Sequence, residues 1–172
     1  KKISVSNSRF ENSVVTSNGF YAGDSEGTEF RLQNVVFANN NGTLAYLYNS
    51  TNAYIDSCSF LSNVNGSSFV NALLSNNNVF VLTNSKFENN DYGKLLYVYA
   101  DTVISRNCIF SGNKLEESLL NELLNDNNKL IQIEKSSFVD NSCGDFLVQT
   151  YADSVVVLNS TFDNNTTSSL LV

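Results

Sequence analysis

The stretch Asn84-Ser85-Lys86-Phe87-Glu88-Asn89-Asn90 decides the fold, because it returns in recognisable form along the whole 172-residue chain. Its phenylalanine recurs at Phe10, Phe37, Phe60, Phe87, Phe110, Phe138 and Phe162. Three residues later stands Asn40, Asn63, Asn90, Asn113, Asn141 or Asn165; the first copy departs, with Ser13. Three residues before the phenylalanine stand Asn7, Asn34, Asn84, Asn107 and Asn159 in five copies, with Ser57 and Lys135 in the other two. Position minus two is Ser8, Val35, Cys58, Ser85, Cys108, Ser136 or Ser160. A polar unit of this length repeated along a chain is the signature of a solenoid.

Successive phenylalanines are 27, 23, 27, 23, 28 and 24 residues apart, so long coils alternate with short ones. A duplicated two-coil block accounts for the echo of Tyr99-Ala100-Asp101-Thr102-Val103 in Tyr151-Ala152-Asp153-Ser154-Val155. Short apolar bursts such as Leu95 to Tyr99 read as strands, as do the pairs seven and five residues before the phenylalanine, such as Phe80 and Leu82. Along one continuous strand those positions and the phenylalanine would point to different faces, so the chain must bend near minus three. Asparagine suits that bend, since it tolerates the left-handed region and bonds its own backbone.

Coils stacked ~4.8 Å apart place like residues above one another. The phenylalanines then form a core ladder, and inward asparagines exchange side-chain amide hydrogen bonds along the axis. The sequence therefore predicts an all-β fold, a single-stranded parallel β-helix of about seven coils of 23–28 residues. Seven rises make a rod ~34 Å long. Leu115 to Leu124 carries helical spacing and good helix formers. The coil that holds it has no added length, so Leu119 to Leu124 is expected as strand, with at most a helical turn at Leu115 to Ser118.

Residues 1–172 form one β-helical segment. The chain opens and closes on apparent strands without polar capping segments, which is the expectation for an excerpt of a longer solenoid. Proline, which interrupts strand ladders, is absent. The 17 acidic and 10 basic residues leave a net charge of −7, against the basic footprint that nucleic-acid binding needs. No apolar run is long enough for membrane insertion by this segment.

Cys58 and Cys108 share one motif position two coils apart, ~9.6 Å by the stacking rise, too far for a disulfide. They are expected as small buried residues of the ladder, and Cys143 has no evident partner. With no histidine and no C-x-x-C pair, neither a metal site nor a disulfide framework is indicated, and no cofactor is expected.

The phenylalanine–asparagine motif preceded by Asn84-Ser85, Asn107-Cys108 or Asn159-Ser160 resembles the repeats of polymorphic outer-membrane proteins, within the wider group of pectin-lyase-like right-handed β-helices. The glycine-bearing second motif of those repeats survives as Asn41-Gly42-Thr43-Leu44, Tyr92-Gly93-Lys94-Leu95 and Cys143-Gly144-Asp145-Phe146. The resemblance implies a passenger or stalk region of a large extracellular or cell-surface protein, often adhesive and seldom an enzyme. Its partners would be other protein subunits or further coils of the same chain.

β-Helices also host polysaccharide lyases and glycosidases, which need clustered carboxylates and a poised base. Here the three arginines are scattered, no aspartates are adjacent, and Asp56, Asp101, Asp140, Asp153 and Asp163 are spread along the chain. The reading is non-enzymatic, with Asp101 and Asp153 as turn residues. A carbohydrate-binding or polysaccharide-degrading role is the alternative. The candidate interaction surface is Tyr46, Tyr48, Tyr97, Tyr99 and Tyr151, since exposed aromatics stack on sugars or form interfaces. The competing expectation is that alternate tyrosines pack inward as ordinary strand residues. The extra residues of the long coils are expected to form a ridge. Sequons begin at Asn41, Asn49, Asn65, Asn159, Asn164 and Asn165; Asn49 and Asn65, in expected turns, are the better candidates for glycosylation.

Overall fold

A computed structural model of the chain describes residues 2–22, 28–50, 52–74, 78–122 and 129–171. Every coil has three faces. In the later coils the first face is a five-residue strand: Asn52–Asp56, Val79–Thr83, Thr102–Arg106, Leu130–Glu134 and Ser154–Leu158. The second is a three-residue strand centred on the phenylalanine: Ser59–Leu61, Lys86–Glu88, Ile109–Ser111, Ser137–Val139 and Thr161–Asp163. In the first two coils these faces run together as Lys2–Glu11 and Glu29–Ala38. The third face holds the strands Val14–Ala22, Asn41–Ser50, Val64–Leu74, Asp91–Tyr99, Leu120–Glu122, Phe146–Gln149 and Ser169–Leu171. All pairings between coils are parallel, so each strand hydrogen-bonds to its counterpart one coil on.

The expected bend at minus three is present. Asn7, Asn34, Ser57, Asn84, Asn107, Lys135 and Asn159 all sit at φ between 49° and 54°, in the left-handed region. A second bend, which the sequence reading did not anticipate, lies at plus two. Asn12, Asn39, Ser62, Asn89, Gly112, Asp140 and Asn164 have φ between 49° and 61°. These residue types carry the signal, since all but serine are the residues that enter αL most readily. In the coils before the last, corner amides are satisfied by the next coil, as in Asn39 N–H to Leu61 O at 3.0 Å and Asn84 N–H to Arg106 O at 3.0 Å.

Two bends, five residues apart, turn minus two, zero and plus three inward together. The rings stack as a continuous column from Phe10 to Phe162, with centroid separations of 4.4–5.5 Å and interplanar angles of 1–19°. The spacing follows from the interstrand repeat. On one side of the column runs the asparagine ladder. The Oδ1 of Asn90 accepts the backbone N–H and the Nδ2–H of Asn63, both at 3.0 Å. The Nδ2 of Asn90 donates to Asn113 Oδ1 at 2.9 Å and to the carbonyl of Phe60 at 3.0 Å. The same arrangement repeats at Asn40, Asn63, Asn113 and Asn141, and Asn165 closes it by donating to the Phe138 carbonyl. Each buried amide thus has both donors and its acceptor engaged, the condition for burying polar groups without penalty.

On the other side lies the minus-two column. Ser85 Oγ accepts from Cys58 N–H at 3.0 Å and donates to Thr83 O at 2.7 Å; Ser136 does the same for Cys108 N–H and Glu134 O. Cys58 and Cys108 are buried, unpaired and separated by the Ser85 rung, as expected. Cys143 is also buried, in register with Leu115 on the third face.

The first face completes the core with the in-register column Phe30, Ala53, Phe80, Val103 and Ile131. A second column holds Leu32, Ile55, Leu82, Ser105 and Ile133. Among the described residues there is no helix: Leu115 ends a short strand, Glu116 and Glu117 are bends, and strand resumes at Leu120. Leu123 and Leu124, expected in that strand, and the ridge-forming residues of the long coils lie outside the described residues. Seven phenylalanine rungs enclose six complete turns, so six rises give ~29 Å between the first and last rings, in place of the expected ~34 Å.

Candidate functional site

The third face carries the candidate surface. Tyr46, Asn71, Tyr97, Asn121 and Gln149 occupy one register column, and Tyr48, Leu73 and Tyr99 another. Leu47 and Val98, between the tyrosines of each coil, are fully buried. All five predicted tyrosines therefore lie on the outer side, Tyr48 and Tyr151 being 39% and 47% exposed. The expectation that alternate tyrosines pack inward is corrected: the inward slots are filled by aliphatic residues, whose side chains cost nothing to bury.

Among the described side chains, the tyrosine that packs inward is Tyr92, which the sequence reading did not single out. Its ring packs edge-on against Phe69, with centroids 5.1 Å and planes 63° apart, and its hydroxyl donates to Gly42 O two coils off at 2.7 Å. The ring passes directly over Gly66, where a Cβ would fall 2.3 Å from it. Desolvation pushes the Tyr92 hydroxyl well above the usual tyrosine range, so it remains a donor. The pairing of a glycine with an aromatic 26 positions on is the one signal that would have revealed this brace.

Beside the brace the register shifts between Asp91 and Tyr92, and a groove of about 610 Å³ opens on the outer side. Tyr97, Lys94, Asn71, Asp91 and Glu117 line it. Lys94 Nζ lies 2.5 Å from Glu117 and 5.0 Å from the Tyr97 ring centroid, and Lys114 is 3.7 Å from Asp91. The Oδ1 of Asn71, between Tyr46 and Tyr97, is buried without a hydrogen-bond donor among the described residues.

The turn aspartates divide by environment. Asp153 is exposed, whereas Asp101 is 4% exposed and its carboxylate lies 3.2 Å from Lys129 Nζ. The backbone carbonyl of Asp101 also accepts from Lys129 and Leu130 N–H, which makes it a turn organiser. Among the described residues no group of three or more acidic, histidine or cysteine side chains is placed to hold a metal ion. No helix among them is long and apolar enough to cross a membrane.

The thiols are muted by burial. Desolvation pushes Cys58 and Cys143 up to about 11 and raises Cys108 as well, so none is a thiolate near neutrality. Of the two preferred sequons, Asn65 is exposed at φ 62° on the register shift of Val64–Leu74, while the side chain of Asn49 lies outside the described residues. Asn165 is committed to the ladder and Asn164 donates to Asp140.

No curated protein and no solved structure matches the chain. The family model for the right-handed β-helix region matches residues 2–121, well over half of the chain and the first four complete turns of the ladder. The parallel coils, the paired bends and this match lead to one assignment: the chain belongs to the right-handed β-helix family.

Proposed function

We propose that the chain is a rigid segment of an extracellular or cell-surface protein. In this reading it acts as a structural or adhesive rod that engages other proteins through its tyrosine face and has no catalytic role of its own. The observation that carries the reading is the continuity of the asparagine ladder from Asn40 to Asn165, which pairs every rung with the next. In a solenoid each coil contacts only its neighbours, so stiffness depends on such rung-to-rung terms being uninterrupted. The tyrosine columns support the adhesive part, because they present large amphipathic rings on the outer surface at low entropy cost. The resemblance of the motif to polymorphic outer-membrane repeats points the same way.

The test uses cells that make the full-length protein. A membrane-impermeant biotin reagent should label the segment from outside, and deletion of these coils should lower adhesion to protein-coated surfaces several-fold. Labelling only after permeabilisation, or unchanged adhesion, would overturn the proposal. The groove beside Tyr97 favours a second reading, carbohydrate binding, since a tyrosine ring flanked by Asn71, Asp91 and Lys94 combines stacking with hydrogen bonding. Calorimetric titration with soluble β-linked glucan and galacturonan separates the two. Binding lost in Tyr97→Ser supports the sugar reading, and no heat with either polymer rejects it for those sugars.

A further inference from the structure

The outer side of the first face departs from what a solvated surface needs. In the coils of Phe87, Phe110 and Phe138 its strands read Val79-Phe80-Val81-Leu82-Thr83, Thr102-Val103-Ile104-Ser105-Arg106 and Leu130-Ile131-Gln132-Ile133-Glu134. Phe80, Leu82, Val103, Ile131 and Ile133 fill the interior, yet Val79, Val81, Ile104 and Leu130 face out. Parallel strands with apolar residues on both sides are characteristic of sheets covered on both faces. Charges frame this patch along the rod: Arg31, bridged to Glu29 of its own strand at 2.6 Å, then Asp56, an uncharged middle coil with Val81, then Arg106, bridged to Glu134 of the following coil at 2.8 Å.

About the middle coil, Asp56 and Arg106 stand at mirrored positions with opposite signs. We propose that the first face is a self-complementary interface, on which two copies pack face to face with their rods antiparallel about a two-fold axis along Val79–Thr83. A two-fold interface presents the same patch twice, so residue i meets j and j meets i. Here Val81 meets its own copy, Tyr54 faces Ile104, and Asp56 faces Arg106 of the second copy. The alternative two-fold, along the rod, sets Asp56 opposite Asn52 and Arg106 opposite Thr102, and brings no opposite charges together across the interface.

Local geometry suits the antiparallel arrangement. A concavity of about 380 Å³ lies beside Asp56, lined by Arg31, Tyr54, Val81 and Thr83, where the guanidinium of the opposing Arg106 would enter. Asp56 is held ready as a carboxylate, accepting from Thr83 Oγ1 at 2.7 Å and Asn84 Nδ2 at 2.8 Å. The remaining acid, Glu29, stays on Arg31 at 2.6 Å. An apolar centre with a charged rim is the usual anatomy of a protein interface. The inference concerns a face other than the tyrosine surface and stands whether or not the adhesive reading holds.

The experiment is sedimentation equilibrium on the intact chain and four variants, with circular dichroism to confirm folding. The native chain should be dimeric at about 100 µM, where a standard-sized interface is populated. Val81→Arg, on the axis, should give a folded monomer. Asp56→Arg and Arg106→Asp should each weaken the dimer about tenfold or more, and the double exchange should restore most of the loss. If Val81→Arg does not fold, the charge-exchange series alone decides. A monomeric native chain overturns the proposal, as does a dimer indifferent to Val81→Arg or a double exchange no better than either single one.

Discussion

The segment from minus three to plus three around each phenylalanine and the third-face strand that follows it obey different rules. In the first, both bends keep φ between 49° and 61° in all seven copies, even where the residue is Lys135. In the second, strand length runs from eleven residues at Val64–Leu74 to three at Leu120–Glu122, and the register slips near Asp91 and again between Asn41 and Ala45. The difference comes from what each region buries. The motif segment encloses amides whose bonds are directional, so geometry is fixed to within hydrogen-bond tolerance. Apart from the Tyr92–Phe69 brace, the third face encloses mostly Leu, Val and Ala, whose stabilisation is non-directional and follows area.

The comparison breaks if the rings contribute little. Phe87→Ala removes a fully buried ring stacked on two others, and should cost about 3–5 kcal/mol in denaturant unfolding; a loss below about 1 kcal/mol would remove the stack from the account. Asn90→Ala is the sharper trial. It leaves the Phe60 carbonyl, Asn63 Nδ2 and Asn63 N–H without their partner, so a loss of about 2–4 kcal/mol is expected although only a polar side chain is shortened. An effect like that of an exposed asparagine would mean that water replaces the ladder.

On the third face the expected costs are smaller. Tyr92→Phe keeps the packing over Gly66 but strands the Gly42 carbonyl, and should cost about 1–2 kcal/mol. Equal stability of the two proteins would show that the cross-coil brace holds by packing alone. Lys135→Asn places a residue tolerant of left-handed backbone at φ 50° and should stabilise by roughly 0.5–1 kcal/mol, read as a rise in melting temperature. No rise would mean that the ladder dictates the bend whatever residue occupies it.

The same contrast explains what could be read from the residues alone. The coil, the phenylalanine column and the inward asparagines were legible because directional constraints repeat, and repetition is visible as a period in one sequence. The bend at plus two was equally encoded, by Asn12, Asn39, Ser62, Asn89, Gly112, Asp140 and Asn164, but a single bend already satisfied the parity argument. Tyr92 over Gly66 was hidden for the opposite reason, since it happens once and breaks the repeat. The outward tyrosines were recognised as a group but not by direction, because register slips on the third face make strand alternation unreliable. The self-complementary order of charges on the first face needs the coil register before Asp56 and Arg106 can be compared at all.

The account rests on the asparagine amides being sealed inside a continuous hydrogen-bonded column, and hydrogen exchange at those amides tests it most directly. With nitrogen-labelled protein, the Nδ2 protons of Asn63, Asn90 and Asn113 should exchange only through global unfolding, as slowly as the backbone amides of the central strands. Exchange at the rate of a free primary amide, with the backbone still protected, would show that the ladder is open to water and that the phenylalanine stack alone holds the coils together.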